Sequence, residues 1–418
     1  MRQVLSISTM RMLVLVLMLV LGWVQWAGAE DWPQWLGPNR DGISSEKIAP
    51  WKEPPAVVWK AEVGEGHSSP VVANGRVYLH VKEPARDAET LLAFDAASGK
   101  QLFARSYDRA PFNSIFGVGP RSTPVVSDGK VYTLGVTGVL SCWTADDGKL
   151  VWQRDTLKQF KVENLKFGVS TSPIVVGKAV IVNVGGKGAS IVAFDRDDGS
   201  VLWQTLDDPA SYSSPILVGK GQAQQLIFLT EDHLVGVRPS DGKVLWQSPF
   251  KDQLSESSTT PIVVDDILIA SSVTVGSKAL RLSLAPDGGA AKTLWQNDKL
   301  TCYFSTPVPV GPEHVYMVTG TFRPFPAVAL NCVEVKTGKI VWTKANIGTF
   351  HAALLRTGDG SLLLHDDGGH LRLLAADVKE YRELAKSKVC GQTWAHPALA
   401  DGRVYLRDSR ELICLKLR

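Results

Sequence analysis

Two histidines, His351 and His396, occupy the same slot in neighbouring copies of an internal repeat, where the other copies carry Ser or Thr. Paired imidazoles are metal-ligand chemistry, but no third ligand stands at a diagnostic spacing, and hydrogen-bonded packing accounts for the pair without a metal. The segment His365-Asp366-Asp367-Gly368-Gly369-His370 has metal-like composition too; its Asp-Gly-Gly between two apolar runs is sufficiently explained as a hairpin turn. Two positions earlier in each copy stand His67, Arg121, Ser170, Tyr212, Ser258, Phe304, Thr349 and Trp394. A ring so mixed suits an anionic or planar ligand, with Arg121 fixing a carboxylate, or serves as rim packing. The signatures C-x-x-C-H, G-x-x-x-x-G-K-[ST], H-E-x-x-H and G-x-S-x-G do not occur, so catalytic residues are not assigned.

What must position these residues is the repeat. Each copy reads as a small polar pair, an anchoring Pro, an apolar strand, a tight turn, two further strands, and an Asp/Ser/Thr-Gly turn before an outer strand ending in an aromatic. The anchors are Pro70, Pro124, Pro173, Pro215, Pro261, Pro307, Ala352 and Pro397, spaced 54, 49, 42, 46, 46, 45 and 45 residues apart. Four short strands per unit of about 45 residues is the pattern of a propeller blade, not of a helical solenoid. Asn74-Gly75, Asp128-Gly129 and Asp401-Gly402 read as primed hairpin turns.

The two ends complete one another. Residues 395–418 hold three strands and stop before an outer strand, whereas residues 57–63, VVWKAEV, are an outer strand with no three strands before it. Combined, they predict an all-β chain of eight four-stranded antiparallel blades closed into a ring, without unpaired sheet edges.

The blades resemble the pyrroloquinoline-quinone-type (PQQ-like) propeller repeats. Their docking motif, Ala-x-Asp-x-x-Ser/Thr-Gly-x-x-x-Trp, is met by Ala93, Asp95, Ser98 and Gly99, with Phe103 for Trp, and by Ala193, Asp195, Gly199 and Trp203. Gly148 with Trp152, Gly242 with Trp246 and Gly338 with Trp342 match more loosely. Trp59, Trp152, Trp203, Trp246, Trp295 and Trp342 are expected to bury their rings against the adjoining blade. Cys142, Cys332 and Cys414 fill the Ala slot as small core residues, and all five cysteines are expected to be free thiols.

The resemblance implies two functions. Quinoprotein dehydrogenases hold PQQ with calcium over the axis and oxidise alcohols or sugars; this chain lacks the adjacent Cys pair found in many of them, and no motif locates their calcium ligands or catalytic Asp. The other branch, the propeller of the outer-membrane β-barrel assembly machine, presents loops to partner proteins without a cofactor. That branch, a non-catalytic scaffold in the periplasm, is the first expectation, with the lipid-anchor Cys absent.

Long insertions at 82–90, 106–120, 155–169 and 320–327 all fall on one face. They carry Tyr107, Arg109, Phe112 and Phe116, then Phe160, Lys161 and Phe167, then Phe322, Arg323 and Phe325. Aromatics with Arg on loops of a rigid scaffold predict a face that binds a protein or an extended peptide. Residues 1–29 read as a cleaved signal peptide, with Arg2 and Arg11, an apolar run Met12 to Val24, and Ala27-Gly28-Ala29. Residues 30–52 form a Trp/Pro/Gly-rich arm, expected across the outside of the propeller, and 53–418 the ring. Without the signal, 43 Lys+Arg stand against 42 Asp+Glu, too even a balance for nucleic-acid binding through a basic surface. The mature chain is expected to be an exported monomer without a transmembrane segment.

Overall fold

The computed structural model describes residues 30–285, 288–321 and 327–417. The expected signal peptide, and Phe322, Arg323 and Phe325, lie outside the described residues.

Eight four-stranded antiparallel sheets follow one another around an axis. In the first blade Val71–Ala73 is innermost, followed outward by Arg76–Lys82, Ala88–Asp95 and Gln101–Asp108. The last blade pairs Ala56–Glu62 with Glu411–Lys416, outside Arg403–Arg407 and Ala398–Ala400, so the N-terminal strand closes the ring. Trp59 stands opposite Cys414, just as Trp152 stands opposite Cys142 and Trp203 opposite Ala193.

One contact recurs between blades and explains the Gly and Trp of the motif together. The turn glycine of one blade lies under the outer-strand ring of the blade before it. A Cβ on Gly99 would sit 2.5 Å from Trp59, on Gly199 2.7 Å from Trp152, and on Gly338 2.6 Å from Trp295. These glycines also have φ near +70°, where side chains are strained. The indole N–H then donates into the same turn, Trp59 to the Ala96 carbonyl at 3.0 Å and Trp295 to the Val335 carbonyl at 2.8 Å. Trp246 departs from the pattern and donates to Gln225 within its own blade.

The small polar pair before each anchor forms a hydrogen-bonded girdle around the axis. The backbone N–H of Ser69 donates to the Thr123 hydroxyl, Thr123 to Ser172, Ser172 to Ser214, Thr260 to Thr306 and, across the closure, His396 to Ser69, at 2.9–3.2 Å. The repeat needs a short hydroxyl there because it must accept from the preceding blade's main chain. The five cysteines are free, and the three in the Ala slot are buried.

The arm does not brace the outside. It enters the axial channel and meets the innermost strands in turn. Trp32 exchanges two backbone hydrogen bonds with Val72, the Pro33 carbonyl accepts from Val126, and the Trp35 indole donates to Thr260 at 2.8 Å. Returning, Gly42 and Ser44 pair with Arg356, and Glu46 accepts from Gly402. Arg40, 2% exposed, donates to the carbonyls of Ser172, Pro173 and Pro215 at 2.7–3.1 Å. An arm with Trp32 at 2% and Leu36 at 2% exposure needs apolar cover, and the inner strands offer it on every side. Beyond residue 50 the chain runs along the outside, where Trp51 donates to Ser387.

Candidate functional site

His67, Arg121, Tyr212, Phe304 and Trp394 line a single cavity of about 140 Å³ at the channel mouth, with Ser170 and Ser258 of the same sequence slot. Phe116 and Phe167, from two different insertions, complete its walls, and Trp35 and His396 lie at its inner end. The rings form a connected cluster: Tyr212 to Phe167 at 5.8 Å, Phe167 to Phe116 at 5.0 Å, Phe116 to Trp394 at 5.3 Å and Trp394 to Phe304 at 5.1 Å. Such tilted and stacked spacings are the favourable ones for aromatic quadrupoles. The arm's Trp35 makes the inner end, which sequence reasoning missed because the arm has no repeat to align it.

Charges at the mouth are already engaged. Arg121 donates to Ser114 and to the carbonyls of Phe116, Gly117 and Gly119, so it braces the 106–120 loop instead of standing ready for a carboxylate. Its guanidinium also lies over the Phe112 ring at 5.8 Å. Glu256 accepts the Tyr303 hydroxyl and faces Lys166 at 3.9 Å. His67 bonds the Phe116 carbonyl at 2.8 Å, and burial together with nearby Arg121 pulls its pKa down to about 4, leaving it neutral.

The remaining insertion residues divide. Tyr107 and Arg109, expected on the binding face, are turned inward: the Tyr107 hydroxyl donates to Glu89 and meets His80 at 3.1 Å, while Arg109 donates to the Val118 carbonyl and lies 3.8 Å from Glu89. Glu89 also accepts from the Val136 backbone in the next blade, so the group ties two blades together. Phe160 lies in a five-residue helix, Thr156–Phe160, and packs edge-on against Phe194; Lys161 ends that helix in the left-handed conformation. The solvent-facing apolar tip of the 106–120 loop is Ile115, 86% exposed.

His351 and His396 do come together, with ring centroids 5.3 Å apart. Among the described residues, no group of three or more His, Cys, Asp or Glu is arranged to hold a metal ion. The carboxylates of the 365–370 segment are spent on the chain itself: Asp366 takes Arg372 and the His370 backbone, and Asp367 takes the backbone N–H of Thr349 and Phe350. PQQ with calcium does not fit the mouth. The quinone carries three carboxylates and its calcium needs oxygen ligands, whereas the one Arg and the one Glu that line the cavity, Arg121 and Glu256, are engaged with the chain itself.

The described chain is a closed eight-bladed β-propeller, its axis filled by its own arm and its mouth lined by aromatic side chains. The family model described as outer membrane protein assembly factor BamB matches residues 89–344, and the chain belongs to this family. It is 22% identical to outer membrane protein assembly factor BamB of Yersinia pestis over 263 residues, which span 57% of this chain and 62% of that protein. Among solved structures it resembles BamB from Moraxella catarrhalis, with TM-score 0.60 and 11% identity over 86% of this chain and 99% of that one. Quinohemoprotein alcohol dehydrogenase from Comamonas testosteroni has TM-score 0.62 and 13% identity over 93% of this chain and 80% of that one. At these identities the structural likenesses show the fold alone. Family membership makes the chain an exported, periplasmic propeller of the non-catalytic, scaffold type. Among the described residues no helix is long and apolar enough to cross a membrane.

Proposed function

We propose that the protein docks a polypeptide on the face built by the 106–120 and 155–169 insertions, in the service of outer-membrane protein assembly. The observation that supports this most is Ile115, 86% exposed next to Phe116, whose ring lines the mouth together with those of Phe167, Tyr212, Phe304 and Trp394. A large apolar side chain held in water on an ordered loop, beside Phe116 and Phe167, is the composition of an interface centre. The family's description, outer membrane protein assembly factor, supplies the process.

A photo-crosslinking residue at Ile115, introduced in the native cell, is expected to trap an outer-membrane assembly component. The same residue at Leu202, 47% exposed on the outer wall of the third blade, should trap little. Equal yields at both positions, or none at Ile115, would remove the face assigned to the partner.

A further inference from the structure

Three buried imidazoles cluster where the seventh and eighth blades join. His351 and His396 precede the innermost strands of those blades, Ala352–Arg356 and Ala398–Ala400, and His365 stands opposite Ala353 on Leu362–Asp366. All three are at most 3% exposed. Nε2 of His351, Nδ1 of His365 and both ring nitrogens of His396 have no hydrogen-bond partner within the described chain. The remaining nitrogens meet neutral groups: Ser305 Oγ lies 3.1 Å from His351 Nδ1, and Cys390 Sγ, a thiol that burial pushes up to about 12, lies 3.3 Å from His365 Nε2. In the other six blades the slot of His351 and His396 holds Ser or Thr, which do not titrate.

None of the three has a place for a charge. Burial, the largest effect, holds His351 and His365 down to about 4 and His396 well below the ordinary histidine value. Asp367 favours the charged form of His351 and Asp366 that of His365, but both carboxylates are occupied, Asp367 by the Thr349 and Phe350 amides and Asp366 by Arg372 and His370. His67 opposes a charge on His351, while His351, His370 and Lys388 oppose one on His365. Among the described residues, the ionisable groups that act on His396 are His351 and His365, and both oppose a charge. From the arm His396 meets Trp35, ring centroids 4.5 Å apart, whose attraction for a cation is weaker than the hydration the cation gives up. Proton uptake therefore requires water, and water requires the seam to part.

The arm covers this seam from the channel side, with Trp35 against His396 and with Gly42 and Ser44 bonded to Arg356 on the strand that follows His351. From this packing we infer that the seam is an acid-sensitive latch: protons taken up by His351, His365 and His396 part the seventh and eighth blades and lift residues 42–44 of the arm from Arg356, while the other blades stay formed. Each imidazole is held below the value of 6.5 that it has when unfolded, so its neutral form contributes stability that is complete above that pH and is lost as pH falls toward about 4. His396 and Trp35 also line the inner end of the mouth, which places the latch directly behind it.

The test follows urea unfolding of the mature chain from neutral pH down to about pH 5, beside a double variant, His351→Ser with His396→Ser, which restores the residue type of the other blades. Near pH 5 the folding constant of the unaltered chain is expected to fall about a hundredfold more per pH unit than that of the double variant, tenfold for each histidine removed. Equal pH dependence overturns the trio. Amide hydrogen exchange of the unaltered chain covers the case in which the double variant does not fold. On acidification, protection at the Ser44 and Arg356 amides is expected to fall at least about tenfold beyond that at Ile181 and Val182 of the third blade. Loss of protection that is uniform around the ring, or no loss at all, overturns the latch. Asp41, raised by burial and bonded to the Ile43 amide, is the arm's own acid-sensitive group. An exchange response that persists in the double variant assigns the opening to Asp41 and overturns the histidines.

Discussion

Removing residues 53–63 is expected to lower the melting temperature by roughly 5–10 °C. The excised strand carries Trp59, 8% exposed, whose ring covers Gly99 and lies 5.9 Å from Tyr405. Loss of one such buried Trp costs about 3–5 kcal/mol, and for a chain of this size the entropy of melting turns ~5 kcal/mol into roughly 6 °C. The deletion also strips the ladder from Glu411–Lys416 and leaves that strand as an open edge, so self-association should accompany the loss of stability. Differential scanning calorimetry with light scattering measures both. An unchanged melt would mean that the eighth blade does not depend on its N-terminal strand.

The second large effect concerns the arm. Arg40→Met is expected to destabilise the protein by about 3–5 kcal/mol, because it leaves the carbonyls of Ser172, Pro173 and Pro215 without their donor in a dry interior. Burial lowers the Arg40 pKa only to about 9, so the group is still a cation at neutral pH and its hydrogen bonds are charge-assisted. Arg40→Lys keeps the charge but has no planar fork to span the third and fourth blades, and should recover less than half of the loss. Chemical denaturation of the three proteins checks this. Full recovery by Lys would reduce Arg40 to a point charge, and no loss in the Met variant would show that the channel holds without it.

The ring was legible because it is written eight times. Spacing of the anchors located the blades, and the fragments at 57–63 and 395–418 showed how they join. The docking Gly and Trp were readable as a motif, since the ring that covers each glycine comes from the preceding copy of the same pattern. Asn74 and Asp128 take the left-handed φ of primed turns, 51° and 46°, as their Asn-Gly and Asp-Gly sequences require. Residues outside the repeat were not legible in that way. Trp32 and Trp35 look the same in sequence whether they lie on the surface or in the channel, and a single Arg40 between Asn and Asp gives no periodic signal. Tyr107 could have been placed inside: the outer strand runs on to Asp108, and strand alternation from buried Phe103 brings Tyr107 to the same face. The insertion obscures it because residues 106–120 read as loop from Ser106 onward, although the strand continues to Asp108. His351 and His396 share a slot in the sequence, and the structure brings their rings to 5.3 Å, whereas the contact of His396 with Trp35 depends on the arm and has no sequence signal.

The central claim is that this propeller is a scaffold whose axis is filled by its own chain and whose mouth faces a polypeptide. The measurement that bears on it most directly is purification of the mature protein from its native exported fraction, with its absorption spectrum and its co-purifying proteins recorded together. A stoichiometric partner from the outer-membrane assembly apparatus, lost on Ile115→Glu and unaccompanied by a quinone absorption band, is the predicted result. A quinone band with dye reduction by an alcohol or sugar, and no partner, would contradict it.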